Sequence, residues 1–342
     1  MPIEIKQMKN IVLFSLALII FTNCQKEKMN IPDTGRKIVL NGFITTDTLF
    51  NLLMGESAYL TDLSTPSYMS LTDLDSLKVR VYDNNKIIDS LSHNAYSDLS
   101  VYDYWKMFSP GNYWSRKVRP VPGRSYKVVA SKYGLPDAYA VTSIPALVSI
   151  IKIDTLHINV TPGTFYDTNV GMQFKIEFSD PANETNYYLF RMYINTYWDP
   201  ESEYNVNYNS EVVNFISEDP IIEEKMKNGN GLEAIAFSDK VINGQKHALN
   251  VIVNSIIVDN PDVVQTWSQT GNINYASPRK TVYFKFYSIT EEYFKYIQTL
   301  QVYGKKYGNP LADPVLVPSN VSGGYGMFTG AAVSTDSIVF TF

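Results

Sequence analysis

The sequence predicts an all-β (mainly β) protein of two domains with one helix near its C-terminus, and three observations carry that expectation. Tyrosine and phenylalanine are abundant, at 25 and 17 residues, and aromatic side chains favour strands over helices. The run Val170-Gly171-Met172-Gln173-Phe174-Lys175-Ile176-Glu177-Phe178 alternates apolar and polar residues, as a half-buried antiparallel strand requires. A single long stretch, from Ile289 to Tyr307, instead places its apolar residues at helical spacing.

The chain opens with Lys6 and Lys9 ahead of an apolar run, Ile11 to Phe21, and after Thr22-Asn23 comes Cys24, the only cysteine. A basic segment and then a short apolar one is the plan of a secretory signal. The run is too short to span a hydrocarbon core, which needs about 20 residues. A cysteine at the expected cleavage point resembles a bacterial lipobox, although Phe21-Thr22-Asn23 departs from the usual leucine and small residues. That resemblance implies that residues 1–23 are a signal peptide and that the Cys24 thiol carries a diacylglycerol, with fatty acyl chains holding the protein to a membrane. A plain signal peptide or uncleaved anchor with an incidental cysteine is the competing reading. Met8-Lys9-Asn10 offers a second, more typical start. An odd cysteine count leaves no internal disulfide. Gln25, Lys26, Glu27 and Lys28 resemble the short charged tag that directs lipoproteins to the bacterial cell surface. Residues 24–35, with Pro32 and Gly35, read as a tether.

Residues 36–145 form the first expected domain. Lys37 to Ile44 is strand-like. Leu77 to Tyr82 alternates at period 2, meets Asp83-Asn84-Asn85-Lys86, and returns as Ile87 to Leu91, which is a hairpin signal. Pro122-Gly123 turns into Tyr126 to Ala130, and Gly134-Leu135-Pro136 turns into Tyr139 to Ile144. Short strands with closely spaced turns resemble a small Ig-like or transthyretin-like β-sandwich. Pro145 is the expected boundary.

Residues 146–342 form a larger β-domain carrying the helix. Tyr187 to Ile194, Leu249 to Val258 and Thr281 to Tyr287 are further strands, and 198–245, rich in Asn, Glu, Asp and Gly, reads as a long loop or insertion. The helix, expected near 289–307, opens on Ser288-Ile289-Thr290-Glu291 in capping-box form. Its stripe is Tyr293, Tyr296, Ile297, Leu300, Tyr303 and Tyr307, which reads as a face packed on the sheet. Glu291 and Glu292 at its start, and Lys305 and Lys306 at its end, complement the dipole.

Beyond the helix stand Asn309-Pro310-Leu311-Ala312-Asp313-Pro314-Val315 and Ser319-Asn320-Val321-Ser322-Gly323-Gly324-Tyr325-Gly326-Met327-Phe328. With Glu291 to Tyr296, they resemble the C-terminal signature of a Bacteroidota lipoprotein family catalogued as domain of unknown function 4249. Leu311, Asp313, Val321 and Tyr325 depart from its usual wording. The resemblance marks Asn309, Pro310, Asp313, Pro314, Asn320, Gly323, Gly324, Gly326 and Phe328 as signature residues. Members are often encoded beside TonB-dependent transporters of the outer membrane, so the resemblance implies a surface accessory to uptake.

Catalytic chemistry is scarce in this sequence. His93, His157 and His247 lack metal-ligand spacing, which speaks against zinc. There is no GxSxG elbow, and acylation would remove the only thiol nucleophile. The glycines of Ser322 to Gly326 lack P-loop spacing and read as a tight turn or a close backbone approach. Asp180, Asn183, Glu184 and Asn186 could supply oxygens to calcium, but a polar loop between strands is the simpler reading. Asp73 and Asp75 are a carboxylate pair that only spatial placement could make a glycosidase. A net charge of −5 without a basic run offers nothing to a phosphate backbone and speaks against a nucleic-acid partner. The expectation is therefore a non-enzymatic outer-membrane lipoprotein without cofactor or metal. It would bind substrate for a TonB-dependent transporter or dock onto one. An adhesion or structural protein of the envelope is the alternative, and a hydrolase a distant one.

Overall fold

Alternating apolar residues need a second surface to cover them, and this chain builds two such enclosures joined by its last strand. The computed structural model describes residues 35–57, 76–93, 111–160, 170–197, 208–223, 231–254, 266–267, 273–274, 279–306 and 315–341. Its strands are β1 (Ile38–Thr45), β2 (Asn51–Glu56), β3 (Lys78–Asp83), β4 (Lys86–His93), β5 (Tyr113–Trp114), β6 (Ser125–Ser131), β7 (Ala138–Ser143), β8 (Ile150–Asn159) and β9 (Val170–Ser179). They continue as β10 (Tyr187–Tyr197), β11 (Tyr208–Val212), β12 (Ile235–Ser238), β13 (Lys246–Asn254), β14 (Thr266–Trp267), β15 (Ile273–Asn274), β16 (Arg279–Ile289) and β17 (Phe328–Thr341), with helix α1 (Glu291–Lys306) before the last. Among the described residues the fold is thus mainly β, with one helix near the C-terminus. A twelve-stranded sheet runs in the order β11-β10-β16-β17-β1-β2-β5-β4-β3-β6-β7, with β12 paired to β10. A three-stranded sheet, β13-β9-β8, and the small β14–β15 pair stand apart from it.

The first core lies inside β1 to β7. Asn84 and Asn85 take φ of 49° and 63°, the left-handed pair that a two-residue hairpin turn needs, so β3 returns directly as β4. Tyr126, Val128 and Ala130 of β6 and Ala138 and Ala140 of β7 alternate inward against Leu40, Leu52 and Val79. Val321, Phe328 and Ala332, from the far end of the chain, complete this core.

The second core lies between two facing sheets. Met172, Phe174, Ile176 and Phe178 of β9 point at Phe190 and Met192 of β10 and at Phe284 and Phe286 of β16. Ring centroids are 5.0 Å apart for Phe174–Phe284 and 4.6 Å for Phe178–Phe286, within the range of favourable aromatic pairs.

Two local expectations are corrected. The 198–245 region is not simply a loop: β11 and β12 fall within it, and Val213, Phe215, Ile221 and Ile222 are buried. Its polar composition hid these short apolar insertions, which pair with β10 and bridge to β13 through Ile216 and Ile252. The helix cap also differs. β16 continues through Ile289, because Ser288 and Ile289 are paired on one side with Tyr188 and Tyr187 and on the other with Ala332 and Ala331. The Ser288 hydroxyl therefore accepts from the Val148 N–H, and Thr290 caps α1 by accepting from the Tyr293 N–H.

Helix α1 covers the outer face of the large sheet. Tyr293, Phe294 and Ile297 are buried, Tyr296 and Leu300 half-buried, and Tyr303 exposed. Tyr293 stacks on Phe43 at 4.4 Å, and Phe294 meets Tyr187 at 5.0 Å. The stripe is therefore a packing face over its first two turns and fades beyond them. Ile297→Ala is expected to destabilise the protein by about 2–5 kcal/mol and Thr290→Ala by about 1 kcal/mol. Tyr303→Ala should stay within about 0.5 kcal/mol in the same denaturant titration.

Candidate functional site

On the outer face of the large sheet, β10 and β16 set Arg191 directly opposite Lys285. Like charges at opposed positions repel, and the surrounding groups resolve the conflict. Tyr193 lies between them, its ring 5.2 Å from the Arg191 guanidinium carbon and 5.6 Å from Lys285 Nζ. Arg191 donates to the Tyr193 hydroxyl at 2.8 Å and extends toward the Glu233 carboxylate at 4.0 Å. Lys285 donates to Asp47, in the turn after β1, at 2.7 Å. Burial pushes the Asp47 carboxyl up, but the bonds from Lys285 and Thr45 outweigh it and hold this carboxyl below its ordinary value. Beside them, burial drives the Tyr287 phenol well above its usual range, and Phe43 lies 5.8 Å from its ring.

Strand alternation puts Asn195 on the same face as Arg191 and Tyr193. It is 8% exposed, and its Oδ1 has no hydrogen-bond partner among the described residues. A buried acceptor without a donor is costly, so it calls for a ligand hydroxyl, an N–H group or a water. The cluster offers two cations, two carboxylates, phenols and one open amide acceptor. That is a set for holding a polar molecule.

Two further polar clusters are structural. Asp219, whose side chain is fully buried, accepts from the Ile221 N–H, from the N–H and side-chain amide of Asn250, and lies 3.0 Å from His247 Nε2. It clamps the 213–223 stretch onto β13. Ser217 donates to the Asn250 carbonyl, so these residues do not form a serine–histidine–aspartate relay. Asp180 accepts from the Tyr188 hydroxyl and the Gly244 N–H, which leaves it as a brace between loops. Burial pushes the neighbouring Asp239 carboxyl up, and Asp180 adds to the shift although the Asn186 N–H opposes it.

The residues singled out in the sequence are distributed as follows. Cys24, Gln25, Lys26, Glu27, Lys28, Asn309, Pro310, Asp313 and Pro314 lie outside the described residues, as do Asp73 and Asp75. Of the calcium candidates, Asp180 and Asn186 are engaged as above, Asn183 is a turn residue at φ 69°, and the Glu184 carbonyl accepts from Asn243. Among the described residues no group of three or more His, Cys, Asp or Glu side chains is arranged for a metal. Asn320, Gly323, Gly324, Gly326 and Phe328 do come together. The Asn320 side chain donates to the Phe328 carbonyl at 2.7 Å and accepts from its N–H at 2.8 Å. At Gly323, φ is +75° and any Cβ would collide with the Asp137 carbonyl oxygen. At Gly326, φ is +120° and the obstacle is the Leu40 carbonyl oxygen.

Residues 26–337 match the family described as a domain of unknown function (DUF4249). The chain belongs to this family. No curated protein matches it. Among solved structures, the partial N-terminal region of Enterococcal surface protein aligns over 73% of this chain and 88% of that one. The identity is 8% and the TM-score 0.16, below the level of shared topology. In this DUF4249 chain the glycine-rich stretch serves packing: two strands approach where a side chain would stand. Sequence reasoning anticipated a close approach there, but missed Arg191, Tyr193, Asn195 and Lys285. Their only signal was polar residues at alternate positions of otherwise apolar strands.

The Asp47 shift fixes a pH dependence. A carboxyl held below its unfolded value contributes stability that is present above about pH 4 and is lost as pH falls through the folded value. Unfolding titrations at pH 7, 4 and 2.5 should show the wild type losing more stability on acidification than Asp47→Asn. Equal losses would remove the Asp47–Lys285 pair from the account.

Proposed function

We propose that this protein is an outer-membrane lipoprotein, anchored through Cys24 and facing the cell surface, that binds a substrate for a TonB-dependent transporter or docks onto one without acting as an enzyme. One observation carries the proposal: the sole cysteine stands at the end of a short apolar run and is followed by Gln25-Lys26-Glu27-Lys28. Lipid attachment at such a cysteine supplies an anchor that a short apolar run cannot. Family membership supports the reading through the transporter genes that often accompany members. The outer face of β10 and β16 supports a binding role, because Arg191, Tyr193, Lys285 and the open acceptor of Asn195 can hold a polar ligand.

Metabolic labelling with a radioactive fatty acid tests the anchor. The wild-type chain should be labelled and sediment with outer membranes, and Cys24→Ser should lose the label and appear in the soluble fraction. Labelling or membrane retention of Cys24→Ser at the wild-type level would contradict it. Purification from outer membranes should then recover a TonB-dependent transporter in stoichiometric amount, and its consistent absence would favour an adhesion role.

A further inference from the structure

The large sheet does not end freely at β7. Tyr139 of β7 exchanges two backbone hydrogen bonds with Ser322, at 2.9 and 2.8 Å. Three residues later the same segment runs parallel to β1: Leu40 donates to the Tyr325 carbonyl, Tyr325 to the Ile38 carbonyl and Gly42 to the Met327 carbonyl, at 2.8–3.0 Å. The Asn41 side chain accepts from the Met327 N–H at 3.1 Å. Val321 to Met327 therefore lies as an inserted strand between β1 and β7 and closes the first core.

This insert is held through its main chain more than through its side chains. Ser322, Gly323 and Tyr325 are exposed, and only Val321 and Met327 are buried. By contrast, the following strand pairs with β16 along eleven consecutive positions, from Arg279–Thr341 to Ile289–Ala331. Free energies of local opening follow such differences in burial and pairing. Lifting the insert would leave two bare strand edges, and bare edges accept further strands. Asp137, Ile38 and Leu40 present carbonyl oxygens where Cβ atoms at Gly323, Gly324 and Gly326 would stand. The slot thus selects for a segment with glycine at these places.

We propose that the slot between β1 and β7 is a strand-acceptor site, filled reversibly by the chain's own Val321–Met327 and able to take the same segment from a second copy. Strand addition of this kind uses main-chain hydrogen bonds for affinity and the absence of side chains for selectivity. The inference does not rest on the membrane anchor or on a transporter.

The test uses the full chain and the variant Gly324→Val/Gly326→Val, with a synthetic peptide of the sequence Ser319–Phe328 as probe. Amide hydrogen exchange at Leu40, Gly42 and Tyr139 should be at least about tenfold faster in the variant, while amides of β10 and β16 keep wild-type rates. Adding peptide should restore slow exchange at those three amides, and a peptide carrying the two valines should not. Loss of protection in β10 and β16 together with the slot would overturn the proposal, since the insert would then be part of the global core. Fast exchange in the slot that the glycine peptide leaves unchanged would overturn it too.

Discussion

The last strand, β17, is the constraint on which the rest depends. It pairs antiparallel with β16 from Ala331 to Thr341 and parallel with β1 from Phe328 to Ala331. Phe328 and Ala332 enter one core and Ala331 the other. Gly330 lets it pass against the backbone at Ser143, where a Cβ would meet the carbonyl oxygen at 2.7 Å. Contacts such as Met327–Asn41 span 286 residues. Closing so large a loop is entropically unfavourable before any contact rewards it, and pairings this remote slow folding. The Asn320 amide offsets part of that cost by fixing the Phe328 backbone in both directions, each bond worth about 0.5–1.5 kcal/mol.

Electrostatics join the same parts a second time. Asp47 leaves the first core's strands to meet Lys285 of the second, 238 residues away. With both side chains about one-quarter exposed, this pair is worth little as an isolated ion pair. Its role is more local: it neutralises Lys285, which would otherwise face Arg191 across β10 and β16. Tyr193 between the two cations does the remainder. The resulting surface is charged but internally balanced, and Asn195 adds a buried acceptor that no donor among the described residues reaches.

Much of the fold was legible because strands announce themselves through local alternation. β9, the β3–β4 hairpin and β6 read directly, since their patterns need no knowledge of a partner. The elements that were missed are those defined by partners far away. β11 and β12 are four or five residues long and set in polar sequence, so only pairing with β10 marks them as strands. The Ser288 cap failed because β16 is held on both sides and cannot stop before Ile289. At the candidate site, Arg191 and Lys285 are ordinary strand residues until register sets them opposite each other. The glycines after Asn320 showed that something came close, and only the structure identifies it as the carbonyls of β1 and of Asp137.

The central claim is that sharing β17 makes the two cores one cooperative unit. Native-state hydrogen exchange across a denaturant series measures this most directly, comparing amides of Val79 and Val128 in the first core with Phe174 and Val251 in the second. The account predicts that these four merge into a single opening reaction with one free energy and one denaturant slope. Two separate isotherms, with one core opening while the other stays protected, would contradict it.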